Sequence, residues 1–381
     1  MNRIFPAGKR KPWTGRAKAL VGGVALAALA MTSACAGGEA TDNGGSDSSD
    51  ATPFNIVFTS PNYGAYTEHA TQLFELTAAL PEYADKVNPS VVLSDATPAG
   101  QTTVLNSIIQ ESPDAIVIIP SSPTALNSSL QRACDAGIVV IAVNSKVDLP
   151  CVRTFQQDYT SSYAAVARWM ANAIGAEGSV FVDEGAPGFE SSLLMANGFT
   201  EELAAIAPNV EVAGTYHGEF TPGPAQAGVS NLLVAHPNVS GVMTVGGCEG
   251  VIEALTKVGK EKDLEIGCIL YNGGREQCDT LGLTCWFVSS SASIIQDALM
   301  GAVNVLEGGT EPAEDTVTAP PAFMYVTAGS ESGEFEVLGD GIESVEISEA
   351  GVNFFPGGPA GMTIPITLPQ FADQITIEDL S

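Results

Sequence analysis

The chain has 381 residues, of which 45 % are hydrophobic and 15 % charged, values that suit a globular protein with room for two domains and exclude a disordered one. Its net charge of −29 is unevenly spread: all six bases of the first 34 residues (Arg3, Lys9, Arg10, Lys11, Arg16 and Lys18) precede any acid. Beyond them nine bases face 44 acids, a net of −35, which argues against nucleic acid or an anionic membrane surface as a partner.

Residues 1–34 read as a signal peptide. A basic stretch leads into "ALVGGVALAALAMTSAC", whose apolar part is short for a bilayer span. Small residues Ser33 and Ala34 stand just before Cys35, as a signal peptidase with a narrow pocket requires. "TSAC" resembles a bacterial lipobox, with Thr32 where Leu is usual, and this resemblance implies that Cys35 carries a lipid anchor. Residues 35–52 are rich in Gly, Ser and Asp and read as a flexible tether. The expected location is outside the cell membrane, lipid-anchored; cleavage followed by free secretion is the alternative.

From Pro53 short β-branched runs alternate with amphipathic segments. "FNIVFTS" precedes a helical stretch through "TEHATQLFELTAAL", and "SVVLSD" precedes "TTVLNSIIQE", where Val104, Leu105, Ile108 and Ile109 share one helical face. "DAIVIIP" leads to "PTALNSSLQRACDAG", with Gly137 as the helix stop. Next comes Ile138–Val143, in which five of six residues are β-branched, followed at once by the polar corner Asn144, Ser145 and Lys146. The pattern restarts after about residue 158 with "SSYAAVARWMANAIG", "GSVFVDEG" and "SSLLMANGFTEELAAIA", and continues to "CWFVSSS". Alternating strands and helices, with continuously apolar strands, predict two successive doubly wound α/β units on parallel sheets. Beyond residue 310 Gly, Pro, Glu and Thr increase, and "FEVLGDGIESVEISEAGVNFF" reads as a β-meander.

In open α/β sheets ligands bind beyond the carboxyl ends of the strands. Here those ends read "SPNYGAY", "PSSP", "NSKVD", "DEGAPGFESS", "GGCEG", "YNGG" and "SSSAS". Turns alone do not need the aromatic rings of Tyr63, Tyr66, Phe189 and Tyr271 among them. Rings beside amides and hydroxyls suit a solute with apolar faces and hydrogen-bonding edges. No phosphate loop, nucleophile elbow, dinucleotide fingerprint or HExxH motif is present, so neither an enzyme nor a cofactor is expected. Six cysteines remain after Cys35, none in CxxC spacing, and only three histidines occur, so no metal site is expected either. Export permits disulfides.

The run "DAIVIIPSSPTALNSSLQRACDAGIVVIAVNSKVD" resembles the core of type I periplasmic (solute) binding proteins, the sugar-binding class that serves bacterial ABC importers. "GAPGFESSLLMANGFTEEL", "HPNVSGVMTVGG", "EGVIEALTKVG" and "ALMGAVNVLEGG" resemble its second lobe in the same order, so the likeness covers roughly residues 53–325. It implies two Rossmann-like doubly wound lobes joined by a hinge with three crossings, closing on a ligand by hinge bending. The N-terminal lobe would hold 53–157 plus 290–325, and the C-terminal lobe 158–289 plus part of 326–381. Either "PPAFMYVT" or "MTIPITLP" would supply the third crossing.

By position the resemblance implies ligand-binding roles for Asn62, Tyr63 and Tyr66 after the first strand, Asn144 and Ser145 after the fourth, and Asp158 at the first crossing. In the second lobe it points to Phe189, Glu190, Glu249, Asn272 and Ser289. The chain departs from the sugar-binding pattern where an Asp-Arg pair is common, with Asn144-Ser145 instead. It also has no Arg at Leu193–Met195. Loss of charge-assisted hydrogen bonds implies a less hydroxylated or more aromatic solute, or a sugar held by stacking and neutral amides. The family topology pairs Cys134 with Cys151 and Cys278 with Cys285, leaving Cys248 with Cys268. The expected protein is a monomeric substrate-binding lipoprotein that delivers a carbohydrate or carbohydrate-like solute to an ABC permease, with a ligand sensor of the same fold as the alternative.

Overall fold

The computed structural model describes residues 52–175 and 177–310, and in the C-terminal part residues 316–318, 323–327, 334–337, 343–345, 363, 369–371, 374, 375 and 379. Cys35 and the tether up to residue 51 lie outside the described residues. Among those described, no helix is long and apolar enough to cross a membrane.

The first half of the chain runs β1 (Phe54–Pro61), α1 (Ala65–Ala78), β2 (Val87–Ser94), α2 (Pro98–Glu111), β3 (Ala115–Ile118), α3 (Asn127–Asp135), β4 (Val139–Val143) and β5 (Val152–Gln157). It continues with α4 (Tyr159–Ile174), β6 (Gly178–Asp183), α5 (Glu190–Ile206), β7 (Val210–Tyr216), α6 (Pro222–Ala235), β8 (Gly241–Met243), α7 (Cys248–Lys257), β9 (Glu265–Ile269), α8 (Asn272–Leu281), β10 (Cys285–Val288) and α9 (Ile294–Leu306). The short strands β11 (Thr316–Thr318), β12 (Phe323–Thr327), β13 (Glu334–Val337) and β14 (Glu343–Val345) follow.

The first sheet has the order β11-β5-β4-β3-β1-β2 and is parallel throughout. The second has the order β14-β13-β12-β10-β9-β8-β6-β7; its five strands from β10 to β7 are parallel, and β12, β13 and β14 join them as the antiparallel meander. Within each sheet the order of the parallel wound strands is 2-1-3-4-5, so one topology is used twice. The all-buried Val139–Val143 run forms β4 in the interior of its sheet, as its unbroken β-branched character demands. One face of the first sheet packs on α1 and α9, joined by Phe371 and Ile375 of the C-terminal part, and the other packs on α2 and α3. In the second lobe α4 and α5 cover one face and α6, α7 and α8 the other.

The chain passes between lobes after β5, after β10, and again between β11 and β12. This passage lies between Thr318 and Phe323; of "PPAFMYVT" only residues 323–327 of β12 are among the described residues. Of "MTIPITLP" only Thr363 and Pro369 are among the described residues. Thr363 bridges Tyr271 of the second lobe, donates its backbone N–H to His69 Nδ1 at 3.0 Å on α1, and accepts the Ala292 N–H at 2.8 Å, after which Phe371 returns to the first core. Disulfides join Cys134–Cys151, Cys248–Cys268 and Cys278–Cys285. Each ties a helix to a strand or, at Cys151, to the residue just before one, and removes freedom from the unfolded chain.

Candidate functional site: an aromatic cleft between the lobes

Six loops at the carboxyl ends of the strands meet around a small cavity. From the first lobe come Tyr63 and Tyr66 after β1, Ile119 after β3, and Asn144 after β4. From the second come Phe189, Ser191 and Met195 at the start of α5, Phe220 after β7, and Ile269 and Tyr271 at the end of β9. Tyr159 and Ser290 line it from the first two crossings. None of these twelve side chains is a carboxylate, an ammonium or a guanidinium.

Asn144 sits where the fourth strand must turn sharply. Its φ of 63° is left-handed, a conformation that Asn tolerates better than most residues, and it is 4 % exposed. The backbone is held by the Asn144 N–H donating to Phe155 O at 2.9 Å and by Gln156 Nε2 donating to Asn144 O at 3.3 Å. Its amide then joins two phenols: Nδ2 donates to the Tyr66 hydroxyl, and the Tyr159 hydroxyl donates to Oδ1 at 2.9 Å. Ser290 hydrogen-bonds Tyr159 in turn, so the polar chain runs from the first lobe into the hinge. Burial pushes the Tyr66 phenol up to about 12 and raises Tyr159 and Tyr271 well above the ordinary range, so all three stay protonated at neutral pH.

Aromatic rings meet across the cleft. Tyr63 lies edge-on to Phe189 and to Phe220, both centroid distances being 5.5 Å, and Phe189 lies 5.6 Å from Phe220 in the same manner. Tyr66 approaches Tyr271 at 6.4 Å. Such edge contacts are favourable beyond the area they bury. Beside the cavity, Glu190 of α5 accepts from the Lys146 N–H and, at 3.2 Å, from Gln156 Nε2. The lobes are therefore linked by a charge-assisted contact as well as by rings.

Behind the second-lobe wall lies Asp183, fully buried at the end of β6. It accepts the backbone N–H groups of Gly185 (2.8 Å), Gly218 (2.7 Å) and Val245 (3.2 Å) and the Thr244 hydroxyl (2.9 Å). These donors belong to the loops that carry Phe189 and Phe220 and to the loop after β8. Burial pushes the carboxyl up to about 6 against the pull of its four donors. Gly198 lets α5 lie close to α4, since a Cβ there would come within 2.4 Å of the Thr160 carbonyl oxygen.

Of the eleven residues expected to bind ligand, the structure brings Tyr63, Tyr66, Asn144 and Phe189 to the cavity wall. The other seven lie off it. Asn62 caps its own turn, accepting the Gly64 N–H at 3.0 Å, and Asp158 caps α4, accepting the Ser161 N–H at 3.0 Å. Ser145 is fully buried beside Asn144, and Glu190 makes the lobe-to-lobe contact. Asn272 starts α8 and accepts from Arg275 at 3.1 Å, Ser289 is buried next to Ser290, and Glu249 lies near Tyr271 in the first turn of α7, its carboxyl raised by burial. Met195 occupies the stretch where the sugar-binding pattern has Arg.

Phe220, Tyr159, Ser191, Met195, Ile119, Ile269 and Ser290 were not anticipated. The strand-end rule points to Phe220, which follows β7 in "YHGEF". Ile119, Met195 and Ile269 carry no such signal, because an apolar wall residue reads like core.

The geometry is that of a two-lobed protein that encloses a small solute at the carboxyl ends of two parallel sheets. Residues 56–310 match the periplasmic binding protein domain family, and the chain belongs to that family. It is 23 % identical over 191 residues to the ribose import binding protein RbsB of Bacillus subtilis, covering 49 % of this chain and 62 % of that one. It is also 23 % identical over 164 residues to the xylitol-binding protein of Mycolicibacterium smegmatis, covering 42 % and 47 %. The matches thus span about half to three-fifths of the curated relatives' length. A solved ABC transporter solute binding protein from Thermobispora bispora has the same fold, with a TM-score of 0.65 at 24 % identity over 73 % of this chain and 85 % of that one.

Proposed function

We propose that the protein is an exported, lipid-anchored solute-binding protein that captures a small neutral, carbohydrate-like molecule between its lobes and delivers it to an ABC permease. The observation that carries this reading is the cavity itself, whose aromatic walls come from both lobes, so that a ligand completes its contacts only in the closed form. Binding energy then drives closure. Relatives named for ribose import and xylitol binding support the solute class. Cys35, followed by its Gly/Ser/Asp tether, would hold the binding unit at the outer face of the membrane.

A thermal-shift screen of the full chain against pentoses, hexoses, polyols and less polar cyclic solutes tests the capture step. A true ligand at about 100 times its dissociation constant adds roughly 2.7 kcal/mol of stability. No shift with any solute, together with no co-purified molecule by native mass spectrometry, would refute the reading. Radiolabelled palmitate incorporation lost on Cys35→Ser tests the anchor, and sedimentation at the mass of one chain tests the monomer.

A further inference from the structure

The hydrogen-bonding groups in the cleft have a direction. Tyr66 accepts a hydrogen bond from Asn144 Nδ2, which leaves its own O–H to donate, and no described residue receives it. Tyr271, across the cavity, is likewise a protonated phenol with no described acceptor. Asn144 keeps one amide hydrogen beyond the one given to Tyr66. Ser191 stands in the first turn of the 17-residue helix α5, whose N-terminal amides have no acceptor within the helix. The wall therefore offers unengaged donors at Tyr66 and Tyr271, and no side chain on it is purely an acceptor.

A sugar ring presents the opposite demand. Each hydroxyl brings a proton of its own, and a carboxylate, which only accepts, is the side chain suited to take it. No carboxylate lines this cavity. The neutral oxygens of the wall can receive only a few such protons and more weakly than a carboxylate, so each hydroxyl beyond them loses its bond to water without full return. Anions fit no better, because Glu219 acts on Tyr63 and Glu249 on Tyr271, which puts negative charge behind both walls. Phe189, Phe220, Met195 and Ile269 supply the remaining surface, which is apolar.

We infer that the cleft selects a neutral cyclic solute with an apolar ring face and one or two oxygen acceptors (a ketone, lactone or ether) in preference to a polyhydroxylated free sugar. Tyr66 and Tyr271 donate to those oxygens, and the aromatic trio of Tyr63, Phe189 and Phe220 covers the ring. This inference rests on the solute-binding reading and shifts its ligand class from carbohydrate-like solutes towards less hydroxylated ones.

Titration calorimetry of the full chain with 1-indanone, indane, D-ribose and xylitol tests it without identifying the natural ligand. Indanone and indane share one shape and differ by a single carbonyl, so their comparison reads the donors directly and needs no variant. Indanone is expected to bind at least ten-fold tighter than indane and at least ten-fold tighter than either ribose or xylitol. Tyr66→Phe, checked for folding by its melting curve, is expected to remove most of the preference for indanone over indane. Ribose or xylitol binding tighter than indanone overturns the inference and leaves solute binding intact. Equal affinity for indanone and indane overturns it as well. Silence with all four probes also overturns it, and the broader solute screen then decides whether the solute-binding reading falls with it.

Discussion

Strands β1 and β6 are topological equivalents, the first strand of each lobe, yet the turns that follow them are held by different means. After β1 the side chains that close the turn are local, although the Asn62 N–H also reaches the Ser94 carbonyl at 3.0 Å and the Tyr66 hydroxyl meets Asn144. The Thr67 hydroxyl accepts the Tyr63 N–H at 3.0 Å and donates to the Pro61 carbonyl at 3.1 Å, and Asn62 closes on Gly64. After β6 the Asp183 carboxylate draws in donors from three loops, two of which lie more than 30 residues away in sequence. The first lobe thus positions Tyr63 and Tyr66 with neutral groups, Thr67 of the same turn for Tyr63 and the Asn144 amide for Tyr66. In the second, one buried charge fixes Phe189 and Phe220 together. A local turn tolerates damage piecemeal, whereas a shared carboxylate makes three loops fail at once.

The most severe way to probe that contrast is Asp183→Ala. It strands three N–H groups and one hydroxyl in the interior, and a loss of at least about 3 kcal/mol is expected in urea unfolding. Ligand affinity should fall with it, since both second-lobe aromatics lose their support. A stability change under about 1 kcal/mol would break the comparison.

Acidity offers a second probe. The folded carboxyl of Asp183 titrates at about 6, above its ordinary value of 3.8, so the native state binds the proton more tightly than the unfolded chain. The stabilisation from this group is complete below the unfolded value and is lost as the pH rises through about 6. Asp297, also raised to about 6 by burial, contributes with the same sign. Melting temperature should therefore fall between pH 4 and pH 7, and Asp183→Asn should flatten the slope.

Smaller effects separate packing from hydrogen bonding. Gly198→Ala pushes a methyl group into the Thr160 carbonyl and should cost about 1–3 kcal/mol while shifting Ser191 and Met195. Thr67→Val removes two local hydrogen bonds for one added methyl group and should cost about 1 kcal/mol, with an affinity loss confined to the Tyr63 side of the cleft. A larger loss for Thr67→Val than for Asp183→Ala would invert the reading of the two lobes.

The periodicity of apolar residues was sufficient for the alternation of strands and helices, because a buried parallel strand requires unbroken β-branched runs and its covering helix requires an amphipathic face. It was sufficient also for placing Tyr63, Tyr66, Asn144 and Phe189 at one end of the sheets, since every parallel strand surfaces on the same side. The structure joins Cys134–Cys151 and Cys278–Cys285, the pairs the family resemblance implies, and Cys248–Cys268, the pair left over. The sequence alone could not tell a cavity wall from a core, so Met195, Ile119 and Ile269 read as ordinary interior residues. It could not separate the carboxylates either. Asp158 and Asp183 both stand at the ends of strands, but one caps a helix while the other organises a lobe, according to which N–H groups the fold brings within reach. Local pattern determined where each element begins, ends and turns its apolar side, because those preferences act over a few residues. Only the tertiary structure decided which groups at the strand ends satisfy one another and which stay open to a ligand, because that depends on loops brought together from distant positions, 78 residues apart for Tyr66 and Asn144.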